Sequence, residues 1–548
     1  MKKYFLPIIL ALFFVSVSKP DHYPRNFNID IIHYSFHLTL SDSSNSITGK
    51  AVVQIKFLKN GVEEFNLDLD SWNSSSNTGM KVSGVEEEDK PILFQQSDEK
   101  LKIILSSASD KDSVRNFSIT YSGIPKDGLI ISKNKYGDRT FFGDNWPDRA
   151  HFWLPVIDHP FDKATCDFYV TAPAFYQVVA NGKLIDKINL DKNLTLTHWK
   201  EEHPIAAYLM VIGAARFAVQ YLPPFIQKES EVECVPVETW VYPQDKEKGF
   251  YDFSPAERII KYFSSLIGPF PYEKLANVES KTIYGGMENA SNIFYSEHEV
   301  TGSRKSLVTV AHETAHQWFG DAVTEDDWNH IWLSEGFATF FQNIFIEHEF
   351  GKDSLVSSMA LEREQVINYD EENSSSPVVD TTITKLTKLL NVNSYQKGSW
   401  VLRMLQHNLG EKIFWKGIRL YYKTFRDKNA LTKDFKKIMG EVSGKNLSHF
   451  FEEWIYKPGF PELKGNWSYN KKEKTITIKL DQAQAFRNSF HFPLEIGIYS
   501  GKNTEPMIKK FDVEKKENIF KLAAETKPYK IVLDPNTWLL MKSEFEEK

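Results

Sequence analysis

Residues 310–341 constrain the fold and the chemistry of this chain more than any other stretch. They contain the motif H-E-x-x-H, in which His312 and His316 stand four residues apart and so project from one face of a helix. Two neutral imidazoles at this spacing can share one Zn²⁺, and Glu313 lies beside them to act on a metal-bound water. Glu335 follows at a distance that allows a second helix to bring a third ligand. Such a site keeps a fourth position open, which is typical of catalytic zinc.

The alternative is a pair of surface histidines on an amphipathic helix. The residues around the motif argue against it, because Leu307, Val308, Val310, Ala311 and Ala315 make the flanking turns apolar. Such a helix is expected to be buried, and buried imidazoles need polar partners. A metal ion supplies those partners, so we predict one Zn²⁺ per chain.

Length and composition indicate a globular protein of several domains. A chain of 548 residues exceeds what one hydrophobic core supports, so about two to four domains are expected. The hydrophobic fraction of 41% and the aromatic fraction of 14% exclude a largely disordered chain. The net charge is −7, and no block of lysine and arginine occurs, which argues against nucleic-acid binding.

The N-terminus has the features of an export signal. Two lysines precede an apolar run at residues 4–17, and Ser16 and Ser18 fit the small-residue positions of a cleavage site. We therefore predict a signal peptide over residues 1–18 and export to the periplasm or the medium. The run is shorter than the roughly 20 residues that span a bilayer. An uncleaved membrane anchor is the alternative, and only then would the protein contact a membrane.

The first part of the chain has the alternating pattern of β-strands. Tyr34, Phe36, Leu38 and Leu40 are separated by polar residues, so they occupy one face of a strand. Turn signals at short intervals indicate an antiparallel sheet or sandwich. We predict an N-terminal β domain over residues 19–222.

The middle of the chain is mixed and then mostly helical. It follows Pro223-Pro224 and ends at a segment rich in proline and glycine, so residues 223–460 are predicted to form the zinc-binding domain. Alternation returns after this segment and suits a small β-sandwich. We predict that C-terminal domain over residues 461–548, which makes the fold class α+β with several domains.

A second motif precedes the zinc helix. Residues 285–289 read Gly-Gly-Met-Glu-Asn and lie between two strand-like pieces, 276–279 and 292–295. A glycine pair before a carboxylate indicates backbone that another molecule approaches closely. Taken alone, an ordinary glycine turn is the simpler interpretation.

Three features stand in order: Gly-Gly-Met-Glu-Asn at 285–289, H-E-x-x-H with Glu335 downstream, and Tyr395 in Tyr-x-Lys-Gly. In this combination the chain resembles the zinc aminopeptidases related to aminopeptidase N and leukotriene hydrolase, in the gluzincin clan. The resemblance overrides the glycine-turn interpretation and implies cleavage of peptides that have a free N-terminus. It implies a saddle-like N-terminal β domain, a thermolysin-like α/β catalytic domain with a mostly helical lower half, and a small C-terminal β-sandwich. The large helical C-terminal domain of longer members is not expected.

The resemblance also implies a role for each matched residue. His312, His316 and Glu335 would hold the zinc. Glu313 would be the general base, and Tyr395 would donate a hydrogen bond to the oxyanion. The remaining matched residues form the motif that binds the substrate, in which Glu288 would hold the free α-ammonium: Gly285, Gly286, Met287, Glu288 and Asn289.

The chain departs from the family pattern at three places. Gln342 stands seven residues after the zinc glutamate, where members commonly carry a second acidic residue. Asp321 stands where asparagine is frequent. The family's second contact to the substrate amine is not matched by one residue, and the nearest candidates are Asp-Asn-Trp at 144–146.

Two other functions compete with that of an aminopeptidase. An exported endopeptidase would use the same zinc chemistry without an amine anchor, but Glu288 and the glycine pair argue against it. An inactive adaptor that keeps the fold is disfavoured, because the zinc ligands, Glu313 and Tyr395 are all intact.

Overall fold

The computed structural model describes residues 21–191, 193–227, 233–484 and 489–548. They form an N-terminal β domain, a central domain of one main sheet and helices, and a C-terminal pair of sheets. The predicted α+β multidomain fold is confirmed. The predicted signal peptide, residues 1–18, lies outside the described residues.

Within the residues that the structure describes, the N-terminal domain has fifteen strands. They are β1 Ile29–Thr39, β2 Ile47–Phe57, β3 Glu64–Asp68, β4 Gly79–Glu87, β5 Lys90–Pro91, β6 Phe94–Ser97, β7 Lys100–Ile104, β8 Val114–Ile124, β9 Leu129–Lys133, β10 Arg139–Gly143, β11 Lys163–Pro173, β12 Gln177–Ala180, β13 Lys183–Asn189, β14 Leu194–Ala206 and β15 Ile212–Ala215.

These strands form three sheets. The largest has eight strands in the order β13-β14-β11-β1-β2-β8-β4-β5, and the others are β3-β7-β6 and β12-β15-β10-β9. The predicted alternation is confirmed in β1, where Tyr34, Phe36 and Leu38 are buried and His37 is exposed. One face of the large sheet therefore supplies the core of this domain.

The central domain contains the strands β16 Ala218–Ile226, β17 Cys234–Val241, β18 Leu275–Ser280, β19 Gly286–Met287, β20 Asn292–Ser296, β21 Val323–Glu325 and β22 Lys428–Ala430. Its helices are α1 Lys246–Phe253, α2 Ala256–Ile267, α3 Leu307–His316, α4 Trp332–Phe350, α5 Lys352–Glu372, α6 Gly398–Leu409, α7 Glu411–Phe425, α8 Thr432–Ser443 and α9 Ser448–Phe451. The main sheet has the order β16-β17-β18-β20-β19. Among the helices of the described residues, none is long and apolar enough to span a membrane.

The strand β16 crosses the boundary that the sequence pattern places between residues 222 and 223. It pairs antiparallel with β17, from Ala218 opposite Val241 to Ile226 opposite Cys234. The two prolines fall where the register shifts, on the edge strand of the sheet, and an edge strand tolerates the missing N–H groups of proline. By strand pairing, the central sheet therefore begins at Ala218 and not at residue 223.

The C-terminal domain follows with the strands β23 Glu462–Asn470, β24 Thr475–Gln482, β25 Phe492–Tyr499, β26 Met507–Val513, β27 Glu517–Ala523, β28 Lys530–Leu533 and β29 Lys542–Glu547. They form a four-stranded sheet, β27-β24-β23-β29, and a three-stranded sheet, β26-β25-β28. Phe511 of one sheet stacks on Phe520 of the other, with ring centroids 4.5 Å apart. Two sheets in contact through their side chains correspond to the predicted sandwich.

Candidate metal centre and active site

The three predicted zinc ligands meet between α3 and α4. His312 Nε2 and His316 Nε2 are 3.1 Å apart, and Glu335 Oε2 lies 3.3 Å from the first and 3.2 Å from the second. Ligand atoms about 2.0–2.1 Å from a tetrahedral zinc are about 3.3–3.4 Å from one another. The three atoms therefore fit one Zn²⁺ in the positions that they occupy.

The charges around this triangle favour a cation. Burial alone would raise the pKa of Glu335, but the charge of His316 and hydrogen bonds from both imidazoles lower it to about 2. Burial lowers the pKa of His312, which keeps this ring neutral and able to bind a metal. Burial opposes protonation of His316 too, yet the charges of Glu335 and Glu288 raise its pKa well above the usual range. The carboxylates thus draw positive charge to the position that a metal would take.

Each imidazole is oriented by a second contact. His316 Nδ1 lies 3.2 Å from the carbonyl oxygen of Phe319 and 3.0 Å from the Ser334 hydroxyl. The side chain of Gln342 forms a hydrogen bond with the ring of His312. Contacts of this kind hold a metal-binding ring in position. Gln342 therefore acts as an uncharged partner at the position where the resemblance leads us to expect an acid.

The zinc helix α3 is anchored at both ends by buried side chains. Before it, the Asp252 carboxylate accepts hydrogen bonds of 2.6–2.7 Å from backbone N–H groups of the 301–304 loop. After it, the Gln317 amide accepts from Ser291 N and donates to the Glu288 carbonyl oxygen, both at 2.7 Å. The residue after His316 therefore fastens the 285–289 motif to the zinc helix.

Two glycines bring α4 and α6 into direct contact behind the metal site. A Cβ on Gly398 would lie 2.9 Å from the Cα of Gly336, and a Cβ on Gly336 would lie 2.9 Å from the Cα of Gly398. Real Cβ atoms do not approach other atoms so closely, so either substitution must separate the helices. Gly336 follows the ligand Glu335, and Gly398 ends the motif of Tyr395. The contact therefore sets the distance between these two site residues.

Tyr395 lies in a π-helical turn, Asn393–Lys397, that leads into α6. Its hydroxyl is hydrogen-bonded to Glu335, and its ring is nearly parallel to that of His312, with centroids 6.0 Å apart. Burial, the charge of Glu335 and this hydrogen bond raise the pKa of Tyr395 well above its usual range. The hydroxyl therefore keeps its proton at neutral pH and can donate it in a hydrogen bond.

The 285–289 motif forms one wall of the site. Its residues Gly286 and Met287 make up β19, the edge strand of the main sheet, which pairs with β20. Glu288 comes next, and ligand atoms of Glu288, Glu313 and His316 all lie within 4.8 Å of one another. Burial raises the pKa of Glu288 to about 7, with the charge of Glu335 adding to the rise. The motif thus places a second carboxylate beside the metal ligands.

Steric contact explains why the second residue of this motif is a glycine. A Cβ on Gly286 would collide with the carboxylate of Glu313. A glycine is therefore required for β19 to lie against the predicted general base.

The predicted residues line one cavity of about 530 Å³. All of them except Asn289 contribute to it, and α5 adds a stripe that sequence reasoning missed. Besides Gln342 and Trp146, which the sequence analysis names, the lining contains these residues that it missed: Tyr284, Thr309, Thr339, Ser358, Leu361, Glu362, Gln365, Leu390 and Gln396. Helical spacing from Glu335 would have indicated Thr339, which lies four residues further along the same helix.

Asn289 does not reach this cavity. It is fully buried, and its backbone carbonyl accepts a hydrogen bond of 2.9 Å from Asn292 N. Asn289 therefore shapes the turn behind the wall, and we assign it no contact with a substrate.

Asp321 lies behind the same wall, where its Oδ2 accepts a hydrogen bond of 2.8 Å from the Gln317 amide. Burial, and then the charge of Glu288, raise the pKa of Asp321 well above its usual range. Asp321 thus stands at the position where the resemblance leads us to expect asparagine, and there it accepts a hydrogen bond from Gln317.

Of the candidates at 144–146, Trp146 lines the cavity, edge-on to Tyr284 with ring centroids 5.9 Å apart. Asp144 is fully buried, and Arg149 Nη2 donates to its Oδ1 at 2.7 Å. Its Oδ2 accepts from Ile283 N at 3.2 Å. Asp144 therefore ties the N-terminal domain to the wall of the site.

Two family models match this chain, one for each of its first two domains. The Peptidase M1 N-terminal domain matches residues 30–209, and the Peptidase family M1 domain matches residues 251–454. Together they match well over half of the chain. The chain belongs to peptidase family M1. The second match contains the three zinc ligands and Tyr395, so the metal site of this M1 peptidase lies within the part of the chain that matches the family.

Curated relatives of this M1 peptidase include glutamyl aminopeptidases. That of Bitis rhinoceros is 26% identical over 455 residues, which is 79% of this chain and 47% of the relative. That of Homo sapiens is 30% identical over 351 residues, which is 61% of this chain and 36% of the relative. The chain thus spans about half the length, or less, of these relatives.

Solved structures show the same fold. Aminopeptidase A of Legionella pneumophila in complex with aspartic acid aligns with a TM-score of 0.82 at 18% identity, over 97% of this chain and 61% of that one. The M1 zinc metallopeptidase of Deinococcus radiodurans aligns with a TM-score of 0.65 at 21% identity, over 79% of this chain and 95% of that one. The fold of this M1 peptidase is therefore that of these solved structures.

We predict that Gly398→Ala weakens zinc binding and destabilises this M1 peptidase. The added methyl group forces α6 away from Gly336, which displaces Glu335 and Tyr395, and overpacking of this kind costs about 1–3 kcal/mol. Thermal unfolding and zinc titration measure the two effects. Gly84→Ala is the matched control, because nothing lies within 4 Å of a Cβ at that position. Unchanged unfolding and zinc binding in Gly398→Ala would contradict the prediction.

Proposed function

We propose that this M1 peptidase is a zinc-dependent aminopeptidase that removes N-terminal residues from peptides. The observation that carries the proposal is Glu288, a buried carboxylate that lines the cavity beside the zinc ligands. A buried anion is satisfied by the free α-ammonium of a peptide that begins at this point, and not by the interior of a longer chain. The position of Glu288 therefore favours cleavage of the first peptide bond.

The general base of the proposed reaction is Glu313. When bound, Zn²⁺ supplies a Lewis acid that lowers the pKa of water and polarises the substrate carbonyl. Burial, and then the charge of Glu288, raise the pKa of Glu313 well above its usual range. A carboxylate of raised pKa is a better base near neutral pH, so Glu313 would take the proton of the attacking water and pass it to the leaving amine.

Two further groups complete the proposed reaction site. Tyr395 keeps its proton and would donate a hydrogen bond to the oxyanion that forms on the substrate carbonyl. The backbone at Gly285 and Gly286 lies at the edge of the main sheet and lines the cavity. A peptide substrate would pair with this edge as an added strand, which orients its first bond.

The charge of the cavity limits which substrates we propose. Its lining has the carboxylates of Glu288, Glu313, Glu335 and Glu362 and, among the described residues, neither lysine nor arginine. These charges suit a metal ion and an α-ammonium group. We therefore do not extend to this chain the preference for glutamate that the names of its relatives indicate.

Glu288→Gln tests the proposed amine anchor. Loss of a charged hydrogen-bond partner costs about 1.5–3 kcal/mol, so kcat/KM for a peptide with a free N-terminus should fall about 10- to 150-fold. Hydrolysis of the same peptide with an acetylated N-terminus should be negligible before and after the change. The measurement is steady-state kinetics with the two peptides.

Glu362→Gln is the control for this experiment, because it removes another buried carboxylate from the same cavity. It should leave the preference for a free N-terminus intact. Equal hydrolysis of free and acetylated peptides by the parent enzyme would instead identify an endopeptidase, and full discrimination by Glu288→Gln would refute the anchoring role.

Tyr395→Phe tests the proposed oxyanion donor. Removal of one such donor should lower kcat by about two to three orders of magnitude, because the hydrogen bond strengthens as charge develops in the transition state. Zinc content should be unchanged. Tyr284→Phe, which removes a hydroxyl elsewhere in the cavity lining, should keep most of the activity. A kcat for Tyr395→Phe within a few-fold of that of the parent would exclude the assigned role.

We further propose that the chain is exported and loses residues 1–18. Two lysines, an apolar run and the small residues Ser16 and Ser18 support this proposal. N-terminal sequencing of the protein recovered from the periplasm or the medium should find Lys19 first. Recovery of the intact N-terminus in the membrane fraction would instead support an uncleaved anchor.

A further inference from the structure

A second group of side chains that can act as metal ligands lies outside the active-site cavity. His449 Nδ1 and His491 Nδ1 are 3.2 Å and 2.9 Å from the same oxygen, Oε1, of Glu453. One ligand atom from each of the three residues lies within 4.8 Å of the other two. These separations are close to the about 3.3 Å expected between the ligands of a tetrahedral zinc.

The group joins two domains. His449 and Glu453 stand four residues apart where α9 continues into a π-helical turn, Glu452–Tyr456, so both side chains project from one side of the chain. His491 directly precedes β25 of the C-terminal domain. The M1 family models match neither His491 nor any later residue, so the group reaches beyond the matched part of the chain.

The carboxylate of Glu453 is buried and already oriented. Only 5% of Glu453 is exposed, and its Oε2 accepts a hydrogen bond of 3.2 Å from the backbone N–H of His491. Its other oxygen faces the two imidazoles. A buried carboxylate needs polar or charged partners. A divalent cation between the three side chains would be such a partner.

The two imidazoles are open to solvent. The exposed fractions of their side chains are 65% for His449 and 42% for His491. An ion can therefore enter from solvent, and water can complete its coordination. Next to the group, Trp454 packs on Phe490 with ring centroids 5.0 Å apart, so the contact between the two domains is already formed around the ligands. Pre-formed ligand positions reduce the entropy that binding must offset.

We propose that His449, Glu453 and His491 bind a second Zn²⁺, which ties the C-terminal domain to the central domain. Two imidazole nitrogens and one carboxylate oxygen are a donor set that zinc accepts. The ion would stabilise the folded chain, because these ligands come together only when both domains are folded. The proposal is independent of the proposed aminopeptidase activity.

Zinc stoichiometry of the full-length chain tests the proposal. The protein, stripped of metal and then dialysed against micromolar Zn²⁺, should hold two ions per chain, and His491→Ala should hold one. Glu335→Ala lacks a ligand of the active-site zinc and should hold one ion per chain, at the second site. The double variant Glu335→Ala/His491→Ala should hold none. His449→Ala should lose the same ion as His491→Ala. Because the His449 side chain is mostly exposed, this loss would not be explained by misfolding.

His298→Ala is the matched control, because it removes an exposed imidazole that belongs to neither group. It should keep two ions per chain. Zinc should also raise the Tm of metal-free Glu335→Ala, and it should not raise that of Glu335→Ala/His491→Ala. One ion per chain in the parent protein, an unchanged count in His491→Ala and His449→Ala, or equal Tm shifts in the two Glu335→Ala proteins would overturn the proposal.

Discussion

The backbones of α4 and α6 touch at Gly336 and Gly398, and the geometry of the active site depends on this contact. Glu335 stands directly before the first glycine, and Tyr395 stands three residues before the second. A side chain at either glycine would push the helices apart and move both groups. Because α3 packs against α4, the histidines of the zinc motif converge on the same point. The contact between α4 and α6 thus fixes how the zinc ligands on α3 and α4 lie relative to the Tyr395 hydroxyl on the turn before α6.

Burial of like charges explains much of the site's chemistry. Glu288, Glu313 and Glu335 line one cavity, where the charge of Glu335 raises the pKa of Glu288 and the charges of Glu288 and Glu335 raise that of Glu313. A zinc ion would relieve this repulsion, and so would the ammonium group of the proposed substrate. The uncharged Gln342 adds no negative charge where it contacts His312. Behind the wall of the site, burial and the charge of Glu288 raise the pKa of Asp321.

Local patterns in the sequence predicted the chemical core of this protein. The spacing of His312 and His316 places them on one helical face whatever the rest of the chain does, because helix geometry is local. Period-2 alternation predicted the β domains for the same reason, and the structure confirms that part of the fold. The Glu288 and Tyr395 assignments required the family resemblance, since neither residue type has a distinctive local pattern. That resemblance agrees with the two matching M1 models.

By itself, then, the sequence determined the fold class and the three residues that form the zinc site, and it predicted the general base. The tertiary structure alone decided that the central sheet starts at Ala218, that Asn289 lies outside the cavity lining and that Trp146 belongs to it. It also brought His491 to Glu453 across a domain boundary. These features depend on contacts between residues far apart in the chain, and a single sequence does not encode such contacts in any pattern of neighbouring residues.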